Sequence, residues 1–168
     1  MNNRRVNPRL VLALGLALST LAFAREPETQ GMPVYVQDIA PAAAEAVKVV
    51  DAFSAAIKAA KLDVARELLD PKVLILESGS SERNRDEYMG GHAIADAAFM
   101  QTARQQPRYR QAQAEGDFAW VATESLLEAK EDGKDLLLLS TETMLLRKTA
   151  AGWKIVHIHW SSRKAPEG

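Results

Sequence analysis

Cysteine is absent from this 168-residue chain, and that absence excludes several kinds of chemistry. Without it there is no disulfide, no zinc–thiolate site, no cysteine nucleophile and no lipid-modified cysteine of the bacterial lipoprotein type. A glycine-rich phosphate loop is missing as well, which argues against a nucleotide cofactor. The chemistry of this protein must therefore come from carboxylates, imidazoles, hydroxyls and aromatic rings.

An excess of basic charge is also lacking, since 21 lysines and arginines face 22 acidic residues. The beginning of the chain has a basic segment up to Arg9, an apolar run over 10–23, and the A-x-A site Ala22-Phe23-Ala24. This order is typical of a secretory signal peptide, and the apolar run is too short to span a bilayer. We therefore expect residues 1–24 to be removed and the protein to be periplasmic or secreted, with no stable membrane insertion afterwards. The mature chain is mildly acidic, which disfavours nucleic-acid binding.

Helical patterns dominate the first part of the mature chain. After a polar lead-in over 25–40, in which Val34-Tyr35-Val36 can add an edge strand, residues 41–60 carry an apolar stripe at helical spacing. Asp63 can cap a second helix ending near Leu69, where Asp70-Pro71 stops it. An apolar run over 73–76 predicts a strand. A further helix is expected over 85–104, interrupted at Gly90-Gly91 because adjacent glycines weaken helices.

The second part changes to strand periodicity. Strands are predicted over 108–115, 118–130, 134–148 and 153–162, separated by the turns Gly116-Asp117, Asp132-Gly133 and Ala151-Gly152. Short turns predict an antiparallel meander, and helices followed by a sheet define an α+β class. We expect one domain over 41–162, with the helices packed on a curved antiparallel sheet around a pocket, and a frayed tail over 163–168.

Several segments resemble the nuclear transport factor 2-like superfamily in its SnoaL-like branch. They are Asp51-Ala-Phe-Ser-Ala-Ala-Ile, Asp63-Val-Ala-Arg-Glu-Leu-Leu-Asp-Pro71, Val73-Leu-Ile-Leu-Glu-Ser-Gly79, Glu87-Tyr-Met-Gly-Gly-His92 with Asp96 and Phe99, and Gly152-Trp-Lys-Ile-Val-His-Ile-His-Trp-Ser-Ser162. The resemblance implies a cone-shaped fold with an internal pocket and often a homodimer formed through the open sheet face. It implies no single activity, because its members include steroid isomerases, cyclases, dehydratases, epoxide hydrolases and non-catalytic assembly domains.

The candidate site centres on the histidines. Alternation along the last strand predicts that His157, His159 and Ser161 share one face, which we expect to line the pocket. On the third helix His92 and Asp96 are one turn apart, and Phe99 follows on the same side. Further candidates for lining the pocket are Glu77 and Tyr88, together with Thr141 and Thr143, which are favoured over the intervening glutamate.

Three interpretations of these residues remain open. In one, the protein binds a small molecule, and His157 or His159 acts as a general base tuned by Asp96 or Glu77 in isomerase, dehydratase or cyclase chemistry. In another, His92, His157 and His159 with one carboxylate bind copper or zinc. In the last, the polar residues are only structural, and the domain is a dimeric assembly module. No cofactor other than this divalent metal is expected.

Overall fold

The computed structural model describes residues 35–131 and 133–166. The signal-peptide prediction and most of the lead-in therefore lie outside the described residues. A 3-10 turn at Pro41–Ala43 leads into the first helix. The elements are β1 (Val36–Ile39), α1 (Ala44–Lys58), α2 (Leu62–Leu68), β2 (Leu69–Glu77), β3 (Ser80–Glu82), α3 (Arg85–Gly90), α4 (His92–Thr102), β4 (Arg104–Glu115), β5 (Phe118–Glu131), β6 (Lys134–Thr149) and β7 (Gly152–Lys164).

The helices follow the sequence pattern closely. The apolar stripe of α1 is buried, and it includes Val50, Phe53 and Ile57. The predicted break at the paired glycines is confirmed, since α3 ends at Gly90 and α4 begins at His92. The cap predicted for α2 is wrong: this helix begins at Leu62, so Asp63 lies inside its first turn and makes no side-chain cap. No helix among the described residues is long and apolar enough to cross a bilayer.

The strands form one curved, unclosed sheet in the order β1-β4-β5-β6-β7-β2-β3. The predicted antiparallel meander of β4 to β7 is confirmed. The edge strand predicted around Val36 is present as β1, which pairs in parallel with β4. β4 begins earlier than predicted, at Arg104, and β7 continues to Lys164. The predicted boundary of a frayed tail at residue 163 is therefore wrong.

The predicted strand over 73–76 is longer in the structure and gains a partner. β2 begins at Leu69 and passes through Pro71, which is tolerated because the pairing with β7 is irregular between Leu69 and Leu74. After β2, Ser78 and Gly79 both have positive φ, and the chain returns as β3. This tight turn is a β-hairpin that the sequence analysis did not predict.

A β-bulge in β7 decides which side chains face the helices. In the pairing of β6 with β7, Leu146 lies opposite Ile155, but Leu145 lies opposite His157, so Val156 is an extra residue. An extra residue reverses the alternation beyond it. Ile155 and Ile158 are both fully buried as a result. We call the side of the sheet against which α1 and α4 pack the inner face, and the opposite side the outer face.

Candidate functional site

A cavity of about 380 Å³ lies between the inner face and the helices α1 and α4. Its helical wall consists of Phe53, Ser54 and Ile57 from α1 and of Ala95, Asp96, Phe99 and Met100 from α4. Its sheet wall consists of Glu77, Gln105, Thr123, Ser125, Leu127, Leu138, Ser140, Glu142, Trp160, Ser161 and Ser162. The volume suits a small organic molecule. The exposed surface of the lining is mainly apolar, although polar residues occupy ten of the eighteen lining positions.

The polar groups of the sheet wall form a row across four strands. Register places Glu77 opposite Trp160, Trp160 opposite Glu142, and Glu142 opposite Thr123. The row ends beyond the cavity at Arg110, which lies opposite Thr123. Directly opposed residues share a face of the sheet, so this row is fixed by the strand pairing. A second row, composed of Ser162, Ser140 and Ser125, runs beside it.

Three aromatic rings hold the helices against this row. Phe53 and Trp160 are stacked with ring centroids 6.4 Å apart, and Tyr88 lies 6.5 Å from Phe53 and 6.1 Å from Trp160. Phe53 and Tyr88 are buried in the core, and Phe53 and Trp160 both border the cavity. Such pairs stabilise beyond the area that they bury. The cavity wall at this end is therefore built on packed rings that position the nearby carboxylates.

Asp96 and Glu77 are the carboxylates at the aromatic end of the cavity. The Tyr88 hydroxyl donates to Asp96 Oδ2 at 2.9 Å. Burial raises the pKa of Asp96, while the Tyr88 hydrogen bond and the nearby His92 lower it. Burial also raises the pKa of Glu77, and the charge of Asp96 raises it further. Two carboxyl groups with raised pKa values in one apolar cavity are suited to proton transfer.

His92 does not enter the cavity wall. Its Nδ1 forms an ion pair with Glu82 of β3. Glu82 is buried, and its Oε2 has no hydrogen-bond partner in the structure. The pair lies behind Asp96, one helical turn away from it. The charge of His92 lowers the pKa of Asp96, whereas the charge of Glu82 raises it. His92 is thus a neighbour of the site rather than a part of its lining.

Glu142 is the third carboxylate of the cavity wall. It accepts a hydrogen bond from Trp160 Nε1 at 2.8 Å. Burial raises its pKa, whereas this hydrogen bond and the charge of Arg110 lower it. Arg110 is itself held by Asp51 of α1 at 2.6 Å and by the Thr123 hydroxyl at 3.2 Å. The far end of the row is therefore a polar network linking α1, β4 and β5.

The structure brings some of the sequence-predicted residues to the cavity. Glu77, Asp96 and Phe99 line it. Ser161 lies opposite Thr141 on the outer face, contrary to the prediction, and touches the cavity only at its edge. Tyr88 acts from behind the wall through its hydrogen bond to Asp96. These residues come from β2, α3, α4 and β7, which meet at one end of the sheet.

The predicted inward orientation of His157 and His159 is wrong. Because Val156 is an extra residue, Ile158 and Trp160 face inward, and the two imidazoles lie on the outer face. His157 Nδ1 lies 2.8 Å from the Leu74 carbonyl oxygen, and His159 is exposed.

The preference for the two threonines of β6 is also wrong. Thr143 lies opposite His159, and Thr141 borders a groove on the outer face. Glu142 between them lines the cavity instead. The missed residues Glu142 and Thr123 had a usable signal, because a two-residue turn between β5 and β6 sets them opposite each other.

The structure does not bring the predicted metal ligands together. His92 pairs with Glu82, whereas His157 and His159 lie on the outer face. Within residues 35–131 and 133–166 there is no group of three or more histidine or acidic side chains suited to hold a metal ion.

Comparison with known proteins identifies the family. The fold is that of the nuclear transport factor 2-like superfamily, and the sequence model of the SnoaL-like domain matches residues 47–164. The chain therefore belongs to the SnoaL-like domain family, as the resemblance implied. No curated protein gives a significant match to the sequence.

Solved structures give the same result. A proposed ketosteroid isomerase from Shewanella frigidimarina is 33% identical, with 74% of this chain and 99% of that chain covered and a TM-score of 0.67. A proposed dehydratase of the NTF2-like family from Streptomyces avermitilis is 19% identical, with coverage of 73% and 96% and a TM-score of 0.61. The CaMKII hub of S. rosetta is 22% identical, with coverage of 74% and 98% and a TM-score of 0.62. The last two similarities establish the fold alone.

Proposed function

We propose that this SnoaL-like domain binds a small, largely apolar molecule in its cavity and catalyses proton transfer on it. Asp96 is the general base in this proposal, Tyr88 orients it, and Glu77 is the second proton carrier. The observation that carries the proposal is the hydrogen bond from the buried Tyr88 hydroxyl to Asp96 in an apolar cavity. It fixes one carboxylate oxygen and leaves the other free to meet a substrate.

The chemistry best suited to this arrangement is proton abstraction next to a carbonyl group. The Asp96 carboxylate takes a proton from the carbon beside the carbonyl, and the electron pair of that C–H bond moves toward the carbonyl oxygen. Glu77, whose raised pKa favours its neutral form, donates a hydrogen bond to that oxygen. Return of the proton from Asp96 to a more distant carbon shifts a double bond. In a β-hydroxy ketone, Asp96 instead returns the proton to the hydroxyl group on the neighbouring carbon. The C–O bond then breaks, water leaves, and the electron pair of the enolate forms the new C=C bond.

The names of two neighbours agree with this chemistry. One of them is a proposed ketosteroid isomerase and the other a proposed dehydratase. Isomerisation of an unsaturated ketone and dehydration of a β-hydroxy ketone can both begin with removal of a proton beside the carbonyl group. A histidine base, one of the interpretations that the sequence left open, is not part of the proposal because His157 and His159 face away from the cavity.

The test uses substrates that become conjugated enones. A β,γ-unsaturated cyclic ketone reports isomerisation, and a β-hydroxy ketone reports dehydration, both through ultraviolet absorbance. Asp96→Asn should lower kcat by about 10²- to 10⁴-fold, the range typical of a general base. In the wild type, kcat/KM should rise with pH through the pKa of Asp96, which burial raises above its ordinary range.

His159→Ala is the matched control, since this variant removes a proton carrier from the outer face. It should leave turnover unchanged. Turnover of neither substrate by the wild type, or full activity of Asp96→Asn, would contradict the proposal.

We further propose that the outer face forms a homodimer. Leu74 and Leu145 flank His157 in one cross-strand row there, and both leucines are exposed. Burial of such a patch is favourable, and the resemblance to the superfamily implies a dimer of this kind. A neighbour of the same fold is a hub domain.

Sedimentation equilibrium tests the dimer. Leu145→Arg should turn a dimeric wild type into a monomer at micromolar concentration. The control is Ile94→Arg, which introduces the same charge at an exposed position on α4. A monomeric wild type, or dissociation by both variants alike, would reject this interface.

Export remains a proposal based on residues 1–24. In a bacterial host that exports the chain, the protein in the periplasmic or culture fraction should begin at Arg25. Amino-terminal sequencing of that fraction checks the cleavage site, and a chain retained uncleaved in the cytoplasm would refute it.

A further inference from the structure

Thr123 and Ser125 are two hydroxyl groups in the deepest part of the cavity wall. They alternate along β5 with Glu124, so both face inward, and each is 4% exposed. Both border the cavity. A strand places such neighbours about 7 Å apart.

Each hydroxyl oxygen is already occupied by a nitrogen donor from β4. Arg110 Nε donates to Thr123 Oγ1 at 3.2 Å, and Gln105 Nε2 donates to Ser125 Oγ at 3.1 Å. A hydroxyl has one proton of its own to donate. Within the part of the chain that the structure describes, neither Thr123 nor Ser125 donates that proton to a protein acceptor. Since buried donors are normally paired, two donors at a cavity wall indicate acceptors supplied from the cavity.

The two hydroxyls are distant from the proposed reacting groups. β7 and β6 separate Glu77 on β2 from Thr123 on β5, so the row between them spans about 14 Å at three strand spacings. Along this path the sheet presents Trp160 and the Glu142 carboxyl, and Phe53 and Ile57 of α1 form the apolar wall that faces them.

The charge near the hydroxyls restricts the kind of acceptor. The Glu142 carboxyl lies directly opposite Thr123. The Arg110 guanidinium also lies against Thr123, but its charge is paired with Asp51. An anionic ligand group would therefore still be repelled by the Glu142 carboxyl when that carboxyl is ionised. A neutral oxygen, such as that of a ketone or an ether, meets no such penalty.

We propose that Thr123 and Ser125 select elongated apolar ligands that carry a neutral acceptor oxygen at the end remote from Asp96 and Glu77. The proposal takes the location of the reacting end from the proposed function, but the binding of the remote oxygen requires no chemistry. Thr123 and Ser125 are specificity-determining residues in this scheme.

Two probes of nearly the same shape test the proposal. 4-Acetylbiphenyl carries a terminal ketone, and 4-ethylbiphenyl replaces its carbonyl by a methylene group. The ketone has α-protons, but it carries neither a double bond to shift nor a hydroxyl group to lose. Neither probe is therefore converted to a product, and their Kd values, measured by equilibrium dialysis, are independent of turnover. The wild type should bind the ketone about three- to tenfold more tightly than the hydrocarbon, as expected for a buried hydrogen bond.

Variants of β5 identify the donors. Thr123→Val should abolish the preference for the ketone while the Kd of 4-ethylbiphenyl stays within about twofold, and Thr123→Ser should restore the preference. Ser125→Ala leaves the hydrogen bond from Arg110 to Thr123 in place, and it should also reduce the preference for the ketone. Thr143→Val is the matched control on the outer face and should change neither Kd.

Equal binding of the two probes by the wild type, no measurable binding of either, or an unchanged preference in both Thr123→Val and Ser125→Ala would overturn the proposal. Loss of turnover in Asp96→Asn with no preference for the ketone would leave the proposed function standing and reject this inference. A preference for the ketone without any turnover would support this inference and reject the proposed function.

Discussion

Polar side chains on the inner and the outer face of the sheet differ in their exposure to solvent. On the inner face, Glu77 and Glu142 lie in an enclosed wall, and burial raises the pKa of both. On the outer face, His157 and His159 lie beside water and the exposed Leu145, on the same β6–β7 pair. The comparison shows that the two faces of the same strands place their titratable side chains in different surroundings, buried on the inner face and accessible to solvent on the outer one.

One backbone feature separates the two environments. Without the extra residue Val156, His159 instead of Trp160 would lie opposite Glu142. The imidazole would then line the cavity, and the aromatic group formed with Phe53 and Tyr88 would be lost. The β-bulge therefore places the packed ring of Trp160 at a position where an imidazole would otherwise line the cavity.

The largest expected difference between the faces is in stability. Ile158→Ala should lower the free energy of unfolding by about 2–4 kcal/mol, because Ile158 is fully buried on the inner face and its truncation creates a cavity in the core. Leu145→Ala on the outer face should cost less than about 1 kcal/mol, since this side chain is 38% exposed. Urea unfolding at low protein concentration measures both, and equal losses would contradict the assignment of the faces.

The sequence predicted the framework of the molecule because its signals are local. Helical spacing in α1, the paired glycines before α4 and the turn residues of the meander all act through neighbours in the chain. The hairpin of β5 and β6 pairs without irregularity from Phe118 to Glu131, so its register follows from the turn alone. Asp96 could be assigned to the cavity on a similar basis, because helical spacing places it on the same side of α4 as Phe99.

The orientation of the β7 side chains and the position of Glu77 depended on tertiary packing, which no local pattern encodes. The bulge at Val156 allows two isoleucines and a tryptophan to face the core at once, which strict alternation forbids. The parallel pairing of β2 with β7 joins segments far apart in the chain, and it is this pairing that brings Glu77 beside Trp160. The orientation of the histidines therefore could not be read from alternation.

An intermediate effect is expected at Tyr88, the residue that connects the inner wall to the core. Tyr88→Phe removes the donor to Asp96 and should cost about 1–2 kcal/mol of unfolding free energy, since the carboxylate loses its partner. That hydrogen bond lowers the pKa of Asp96, so its loss should shift the rise of kcat/KM to higher pH. Tyr109→Phe on β4, beside the outer groove, is the control and should alter neither property.

The smallest effect concerns the cost of keeping a carboxylate in the inner wall. Burial raises the pKa of Glu142 above the ordinary value of 4.5, so the folded state holds its proton more tightly than the unfolded chain does. The wild type should therefore lose stability as the pH rises from 4.5 through the raised pKa. Glu142→Gln cannot ionise and still accepts from Trp160, so its Tm should exceed that of the wild type by a few degrees at neutral pH and converge with it at acidic pH.

Glu124→Gln supplies the comparison on the outer face, because Glu124 is the neighbour of Thr123 on β5 and is exposed. It makes the same chemical change without removing a buried charge, so its Tm should follow that of the wild type at every pH. Thermal unfolding across this pH range measures both variants. A gain for Glu124→Gln as large as that for Glu142→Gln would mean that net charge, and not the enclosure of the inner wall, governs the effect.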